Sequence, residues 1–506
     1  MNQRMVIAAG GALFCLLAIL NSGGYRYGIG DQAFYVPAVV QHLNPALFPR
    51  DRALLHVQDQ FMTFDKVTAA VVKTSGISLP VLSFLLYLLS LALLFGAAVA
   101  IGRTLYRSWW TVALLAALLT LRHRITQTGA NSLEAYFQPR MLAFALGLWA
   151  VAAYLRGRGA MALALVAAAF VMHPTTAVWF GVWVATALAV SDRSWRRPLA
   201  GLAVIAAVVC VWMVAFGPLR GHLVTMDPRW ASVLAGKDYI FPFDWTFTFW
   251  AVNLGYLALI VTIYFFRDRA RLATPRELGL VAGACALVCM FLVSSALMRA
   301  WLALALQLQT SRVFWMLDLF ASIYLAWLAD PSARFARSGQ DSTHTQKILV
   351  AAVIAIAAAR GIYVTRAEHR GSPIVAVQLP ATDWTDAMSW IARTPPSSHV
   401  LADPGHAWKY GTSVRVAGER DVYLEEVKDV ALALYSRDVA MRVLGRIQDA
   451  AGFDSITPER ALALAHQYDL DYLVIDHDMN LPLAYRNAQF RIYALSPVLS
   501  PALSKQ

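Results

Sequence analysis

The chain has 506 residues, of which 58% are hydrophobic and only 15% are charged, and its formal net charge is +12. Apolar residues gathered in long blocks exclude an ordinary soluble protein of this size and predict a polytopic membrane protein. The positive charge falls mainly in short loops between those blocks, where it sets orientation, so no nucleic-acid partner is predicted.

A membrane-spanning helix needs about 20 apolar residues, and the sequence predicts about eleven such segments. The first is interpreted as a retained helix because no convincing small-residue cleavage site follows it. Three of the segments, 109–121, 140–155 and 160–173, are short for a full crossing. The predicted spans are 5–21, 79–101, 109–121, 140–155, 160–173, 175–190, 199–216, 247–266, 278–297, 312–329 and 347–363.

Arginine and lysine concentrate in alternate loops, which predicts the orientation of the chain. The basic loops carry Arg103 and Arg107; Arg156 and Arg158; Arg193, Arg196 and Arg197; Arg267, Arg269, Arg271 and Arg276; and Arg334, Arg337 and Lys347. The positive-inside rule makes these loops and the N-terminus cytoplasmic. The other loops and the region from 364 onward are then extracytoplasmic, in a multi-pass protein of the cytoplasmic membrane.

The loop 22–78 is long for a connector in a compact membrane bundle. Apolar residues recur at steps of three and four from Leu54 to Val71, which predicts an amphipathic helix at the membrane surface. A shorter apolar stripe runs from Phe34 to Leu43. Two interpretations remain open: a linker lying on the surface, or a pair of interfacial helices that frame a cavity at the lipid boundary.

Asp31 follows Gly28 and Gly30 in this loop and directly precedes the shorter stripe. Glycines allow close backbone approach, and an acid reachable from water can deprotonate a hydroxyl acceptor as a general base. The alternative is that Asp31 caps the helix that follows it.

Four further residues are predicted on the outer side and are candidates for binding a substrate or a lipid phosphate. Arg140 and Arg312 lie at the outer ends of the fourth and tenth spans, where a guanidinium can bind phosphate or snorkel to the headgroups. His173 separates the fifth and sixth spans, where it is either a functional group or a solvated imidazole in a tight outer turn. Glu134, in loop 122–139, is a possible second carboxylate or a solvent-facing side chain.

The region from 364 to 506 loses the long apolar runs and predicts a small α/β domain. Strands are predicted near 400–402, 472–475 and 489–493, and helices over 427–451 and 458–468. The second helix begins with Thr457 and Pro458, a favourable start. The predicted fold class is mainly α: a bundle of about eleven transmembrane helices with interfacial amphipathic helices (1–363), and an extracytoplasmic α/β domain (364–506).

This layout resembles the GT-C superfamily of integral membrane glycosyltransferases that use polyprenyl-phosphate-linked sugars. The stretch from Gly30 to Tyr35, Pro49-Arg50-Asp51, the stretch from His173 to Thr176, and Ser311-Arg312 are similar to bacterial members. The resemblance implies that Asp31 is the catalytic base and that Arg312 and Arg140 hold the lipid phosphate. Gln32 follows Asp31 where many members carry a second acid, and no metal pair is visible. No cofactor is predicted, and the sequence leaves a divalent metal open.

The leading hypothesis is therefore a glycosyltransferase that moves a sugar from a polyprenyl-phosphate donor to a glycan or lipid acceptor outside the cytoplasm. The alternative is a non-enzymatic transporter or assembly partner for lipid-linked saccharides. Transport predicts broken helices and polar groups near the bilayer midplane, whereas the polar groups here gather at the outer side.

Overall fold

The computed structural model describes residues 2–333 and 341–496. Within these residues the chain is mainly helical. The helices are α1 (Gln3–Asn21), α2 (Gln32–Leu43), α3 (Arg52–Asp59), α4 (Phe64–Ser75), α5 (Leu79–Leu105), α6 (Trp109–Leu119), α7 (Pro139–Leu155), α8 (Gly159–Met172), α9 (Pro174–Ser191), α10 (Arg196–Ala215), α11 (Pro228–Val233), α12 (Phe247–Arg269), α13 (Pro275–Arg299), α14 (Ala303–Leu308), α15 (Val313–Trp327), α16 (Asp341–Tyr363), α17 (Asp383–Ile391), α18 (His406–Lys409), α19 (Val414–Ala417), α20 (Glu426–Ala433), α21 (Arg437–Asp449) and α22 (Pro458–Tyr468). The strands are β1 (Tyr25–Arg26), β2 (Arg124–Ile125), β3 (Ala130–Asn131), β4 (Val375–Ala376), β5 (His399–Leu401), β6 (Asp421–Val422), β7 (Tyr472–Ile475), β8 (Leu483–Arg486) and β9 (Arg491–Ala494).

Seven of the described helices are long and apolar enough to cross a membrane, so by length and composition this is a multi-pass membrane protein. They are α1, α5, α9, α10, α12, α13 and α16. The other four predicted spans are the shorter helices α6, α7, α8 and α15. Every predicted span is thus helical, while the number of crossings and the orientation stay predictions. Arg334 and Arg337, two of the predicted cytoplasmic cations, lie outside the described residues.

The chain divides into two compact units. The first comprises Met1–Tyr25, Leu85–Thr225 and Lys237–Val375 and contains these apolar helices, except for residues 79–84 at the start of α5. In its interior, Phe144 of α7 stacks on Trp315 of α15 with ring centroids 3.9 Å apart. Helix α13 approaches α9 closely because it presents glycine there: a Cβ added at Gly283 would lie 2.6 Å from the carbonyl oxygen of Trp183.

The second unit comprises Arg26–Phe84, Met226–Gly236 and Ala376–Gln506. Its five-stranded sheet has the order β6-β5-β7-β9-β8, in which β5 is parallel to β6 and β7, and β9 is antiparallel to β7 and β8. Trp384 and Met388 of α17 pack on Val400, Val474 and Ile492 to form the core of this sheet. The mixture of strands and helices explains why this part of the chain lacks long apolar runs.

Several predicted elements of this unit coincide with the structure, and two predicted helices are each broken in two. The predicted strands match β5, β7 and β9, and the predicted helix 458–468 matches α22. The single helix predicted over 427–451 is wrong: α20 ends at Ala433, and Ser436 caps a new helix by accepting from the Val439 amide at 3.4 Å. The single amphipathic helix of the first loop is also wrong, because it consists of α3 and α4. Helix α3 ends at Asp59 and α4 begins at Phe64.

Residues 26–78 of the loop 22–78 belong to the second unit. Leu54 and Val57 of α3 are buried within it, whereas Val67 and Val71 of α4 are 39% and 37% exposed. The apolar face of α3 is therefore covered by protein, and only α4 keeps apolar side chains for a surface position.

The predicted domain boundary at residues 363 and 364 stays a prediction. The compact units are divided differently, because residues 26–84 and 226–236 group with the region from 376 onward.

Candidate active site

Asp31 lies immediately before α2, beside two glycines that set the local backbone. Gly28 and Gly30 have φ values of +81° and +60°, a region that glycine adopts without strain. Asp31 occupies the N-cap position, but within the described residues its side chain makes no capping hydrogen bond. Its Oδ1 instead accepts a hydrogen bond from Lys428 Nζ at 2.8 Å. The side chains of Asp31 and Lys428 are 26% and 16% exposed, so the structure replaces the predicted cap with an ion pair that water reaches.

The Asp31–Lys428 pair stands at the edge of a narrow cleft in the second unit. The cleft is lined by Gly28, Gly30, Ala33, Pro404, Gly405, Ala407, Trp408, Glu425, Val427 and Lys428. Thr412 Oγ1 donates to the Gly28 carbonyl at 3.0 Å, and the Glu426 amide donates to the Pro404 carbonyl at 3.0 Å. These bonds fix three segments that are distant in sequence around one cleft.

Glu425 is a buried carboxyl group in the lining of this cleft. Its Oε2 accepts a hydrogen bond from Ser413 Oγ at 2.5 Å and lies 3.7 Å from the Arg415 guanidinium. Burial raises the pKa of Glu425 to about 7, although Arg415 acts in the opposite direction and Asp429 adds to the rise. Within residues 2–333 and 341–496, its Oε1 has no hydrogen-bond partner. The cleft therefore contains a second acid that titrates near neutral pH.

A buried ionic network joins the loop 22–78 to the segment that carries Glu425 and Lys428. Arg415 Nε donates to Asp51 at 2.7 Å, and its Nη1 and Nη2 donate to the two oxygens of Asp429 at 2.6 and 3.1 Å. Arg442 also donates to Asp51. Burial acts to raise the pKa of Asp51, but Arg415 and Arg442 outweigh it and hold that pKa well below its usual range. This network fixes the elements around the cleft.

Arg140 and Glu134, two of the predicted binding residues, contact each other in the first unit. Arg140 Nη2 lies 2.9 Å from Glu134 Oε1, and both side chains are almost fully buried. Asn131 Nδ2 donates to both oxygens of Glu134, and Arg122 lies 3.9 Å from it. Glu134 is therefore not solvent-facing, and the fork of Arg140 that was predicted to bind phosphate holds a carboxylate.

His173 separates α8 from α9 and caps α9. Its Nδ1 accepts from the Thr176 amide at 3.3 Å and contacts the Thr176 and Thr175 hydroxyls at 2.9 and 3.2 Å. The ring is buried, so the predicted solvated imidazole is wrong, while the turn itself is present. Arg312 ends a short 3₁₀ turn that leads into α15 and is half-buried.

The structure thus brings together some of the predicted residues and adds others. Asp31 belongs to the second unit, whereas Arg140, Glu134, His173 and Arg312 belong to the first. Lys428 and Glu425 were missed, because no local pattern marks them and Lys428 is 397 residues from Asp31. Within the described part of the chain, no group of three or more His, Cys, Asp or Glu side chains is arranged to hold a metal ion.

No protein-family model matches the chain, and no curated protein matches it. Among solved structures, it is similar to the oligosaccharyltransferase of Archaeoglobus fulgidus in the apo form, with 14% identity, a TM-score of 0.46, and coverage of 93% of this chain and 69% of that chain. It is also similar to the Archaeoglobus fulgidus enzyme tethered through a disulfide to an acceptor peptide containing the NVT sequon. That match has 12% identity and a TM-score of 0.47, and it covers 92% of this chain and 68% of the other. Similarity at this level assigns no donor, acceptor or catalytic residue to this chain.

Proposed function

We propose that this chain is a membrane glycosyltransferase of the GT-C type, which moves a sugar from a polyprenyl-phosphate carrier to a hydroxyl acceptor outside the cytoplasm. The observation that carries the proposal is the Asp31 carboxylate, paired with Lys428 at the edge of a glycine-lined cleft. A carboxylate that is fixed in position yet reachable from solvent is what a general base on a hydroxyl requires.

In the proposed reaction, the acceptor oxygen attacks the anomeric carbon of the donor sugar and forms the new glycosidic bond. The bond between that carbon and the phosphate oxygen breaks, and polyprenyl phosphate leaves with the electron pair. The acceptor hydroxyl gives its proton to Asp31. Lys428 orients the carboxylate through its hydrogen bond.

The leaving phosphate needs positive charge, and Arg312 is the proposed partner for it. Arg140 is the weaker choice because its guanidinium already binds Glu134 at 2.9 Å. A phosphate would have to compete with a buried carboxylate for the same donors. We assign the phosphate to Arg312, as the resemblance to the GT-C superfamily implies.

The test compares Asp31→Asn with the unaltered full-length chain in nanodiscs. The donors are a panel of undecaprenyl-phosphate-linked hexoses and pentoses, a mixture of oligosaccharides and membrane lipids supplies hydroxyl acceptors, and the measurement is release of undecaprenyl phosphate that depends on the acceptor. We expect the unaltered chain to release it from at least one donor, and Asp31→Asn to lower the rate by about a hundredfold or more, as for loss of a general base.

Asp59→Asn is the matched control. Asp59 lies in the same loop and is also paired, with His42 at 2.8 Å, but His42 does not line the cleft, whereas Lys428, the partner of Asp31, does. This variant should keep the normal rate. Release by Asp31→Asn at the normal rate, or no release from any donor by the unaltered chain, would overturn the proposal.

A further inference from the structure

Trp408 is a large apolar side chain held out in solvent. It is 84% exposed and lines the cleft. The short helix α18 that carries it is fixed by His406, which is buried: His406 Nδ1 donates to the Asp403 carbonyl at 2.7 Å, and Nε2 accepts from the Val414 amide at 3.2 Å. The indole is therefore presented from a rigid support.

Glu425 supplies a polar group in the same cleft. It is 1% exposed, and within the described residues its Oε1 has no partner even though Oε2 is bound by Ser413. A buried oxygen without a partner costs free energy, which a ligand that donates a hydrogen bond would recover.

The other residues that line the cleft indicate which kind of ligand would fit it. Gly28 and Gly30 place backbone and no side chain on one side, and Lys428 and Asp31 neutralise each other at the edge. A ligand with one apolar face, several hydroxyl groups and no net charge matches this lining. Sugars have this combination, because the C–H groups of one ring face are apolar while hydroxyls project from the rim.

We infer that the cleft of the second unit binds a neutral carbohydrate, with a ring face on the Trp408 indole and a hydroxyl donating to Glu425. The inference deepens the proposed function and rests on it, since the bound carbohydrate is then the acceptor whose hydroxyl Asp31 deprotonates. It narrows the acceptor class from glycan or lipid to glycan.

The test measures binding and not transfer. Chitotetraose, mannotetraose and maltotetraose are titrated by calorimetry into the full-length chain in nanodiscs. We expect at least one to bind, Trp408→Ala to weaken its binding by about tenfold, and Trp408→Phe to recover most of it. Glu425→Gln should also weaken binding, and Leu462→Ala, which removes another exposed apolar side chain of this unit, should leave it unchanged.

Hydroxyl-radical footprinting of Trp408 separates sugar binding from contact with lipid. We expect Trp408 to be oxidised in nanodiscs that contain the protein without sugar, and to be protected from oxidation when the sugar is added. Protection in nanodiscs without sugar would assign Trp408 to the bilayer and overturn the inference. Absence of binding by every oligosaccharide, or unchanged binding by Trp408→Ala, would also overturn it. In each of these cases, loss of transfer in Asp31→Asn would still support the proposed function. Sugar binding without any transfer would refute the proposed function and leave the binding of the sugar in place.

Discussion

Two ion pairs, one in each compact unit, have similar geometry and different surroundings. Arg140 and Glu134 of the first unit lie 2.9 Å apart with side chains 5% and 4% exposed, and Lys428 and Asp31 of the second unit lie 2.8 Å apart with side chains 16% and 26% exposed. Charges buried as deeply as the first pair depend on each other, because neither can turn to water. The second pair can exchange a partner or a proton with solvent. The comparison shows that two ion pairs of nearly equal length differ in how far water reaches them, and only the second meets the requirement for the proposed chemistry.

The largest expected effect on stability comes from breaking the pair of the first unit. Arg140→Leu leaves Glu134 with the Asn131 amide and, at 3.9 Å, Arg122 as its nearest cation, and we expect a loss of about 3–5 kcal/mol in the free energy of unfolding. Chemical denaturation in mixed micelles would measure it. Adding Glu134→Leu to Arg140→Leu should restore much of that loss. Equal losses in the single and double variants would show that the buried charge is not the cause.

A smaller effect, which depends on pH, is expected at Glu425. The pKa of this group is about 7 in the folded protein against 4.5 in an ordinary carboxyl, so the folded state binds the proton more tightly. Stability contributed by the protonated form is complete below pH 4.5 and is lost as the pH rises through 7. Glu425→Gln removes that loss because glutamine does not titrate. The difference in free energy of unfolding between Glu425→Gln and the unaltered chain should therefore shift in favour of the variant by up to about 3 kcal/mol between pH 4.5 and pH 8. Denaturation curves at several pH values check this, and parallel pH profiles would contradict it.

The smallest expected effect on stability is at Lys428. Lys428→Met breaks a pair that water reaches, so the free energy of unfolding should change by only about 0–1 kcal/mol. Sugar transfer should nevertheless fall by about ten- to a hundredfold, because Asp31 loses a charge-assisted hydrogen bond that orients it. If Lys428→Met loses stability and activity in proportion, the Asp31–Lys428 pair is structural in the same way as the Arg140–Glu134 pair.

Local patterns in the sequence predicted local structure well and long-range contacts poorly. Apolar blocks of helical length located each of the apolar helices, and Thr457 with Pro458 gave the start of α22. The helical spacing of the apolar residues did not show the breaks after Asp59 and Ala433. A turn of a few residues ends the helix but leaves the apolar residues at nearly the same spacing.

The candidate site was predicted only in part for the same reason. The glycines around Asp31 marked a special backbone, and their positive φ values agree with that. The partner of Asp31 depends on tertiary folding, and neither Lys428 nor Glu425 stands in a motif of its own. Glu134 and Arg140 are close in sequence, yet only their burial shows that each one neutralises the other.

The 397 residues between Asp31 and Lys428 also affect how the protein is made. At about 5–20 residues per second, a ribosome needs roughly 20–80 s to add the lysine after the aspartate has been synthesised. During that interval the nascent chain carries the acid without its cation. A chain terminated before residue 428 never acquires it, so the candidate catalytic pair forms only after nearly the whole polypeptide has been translated.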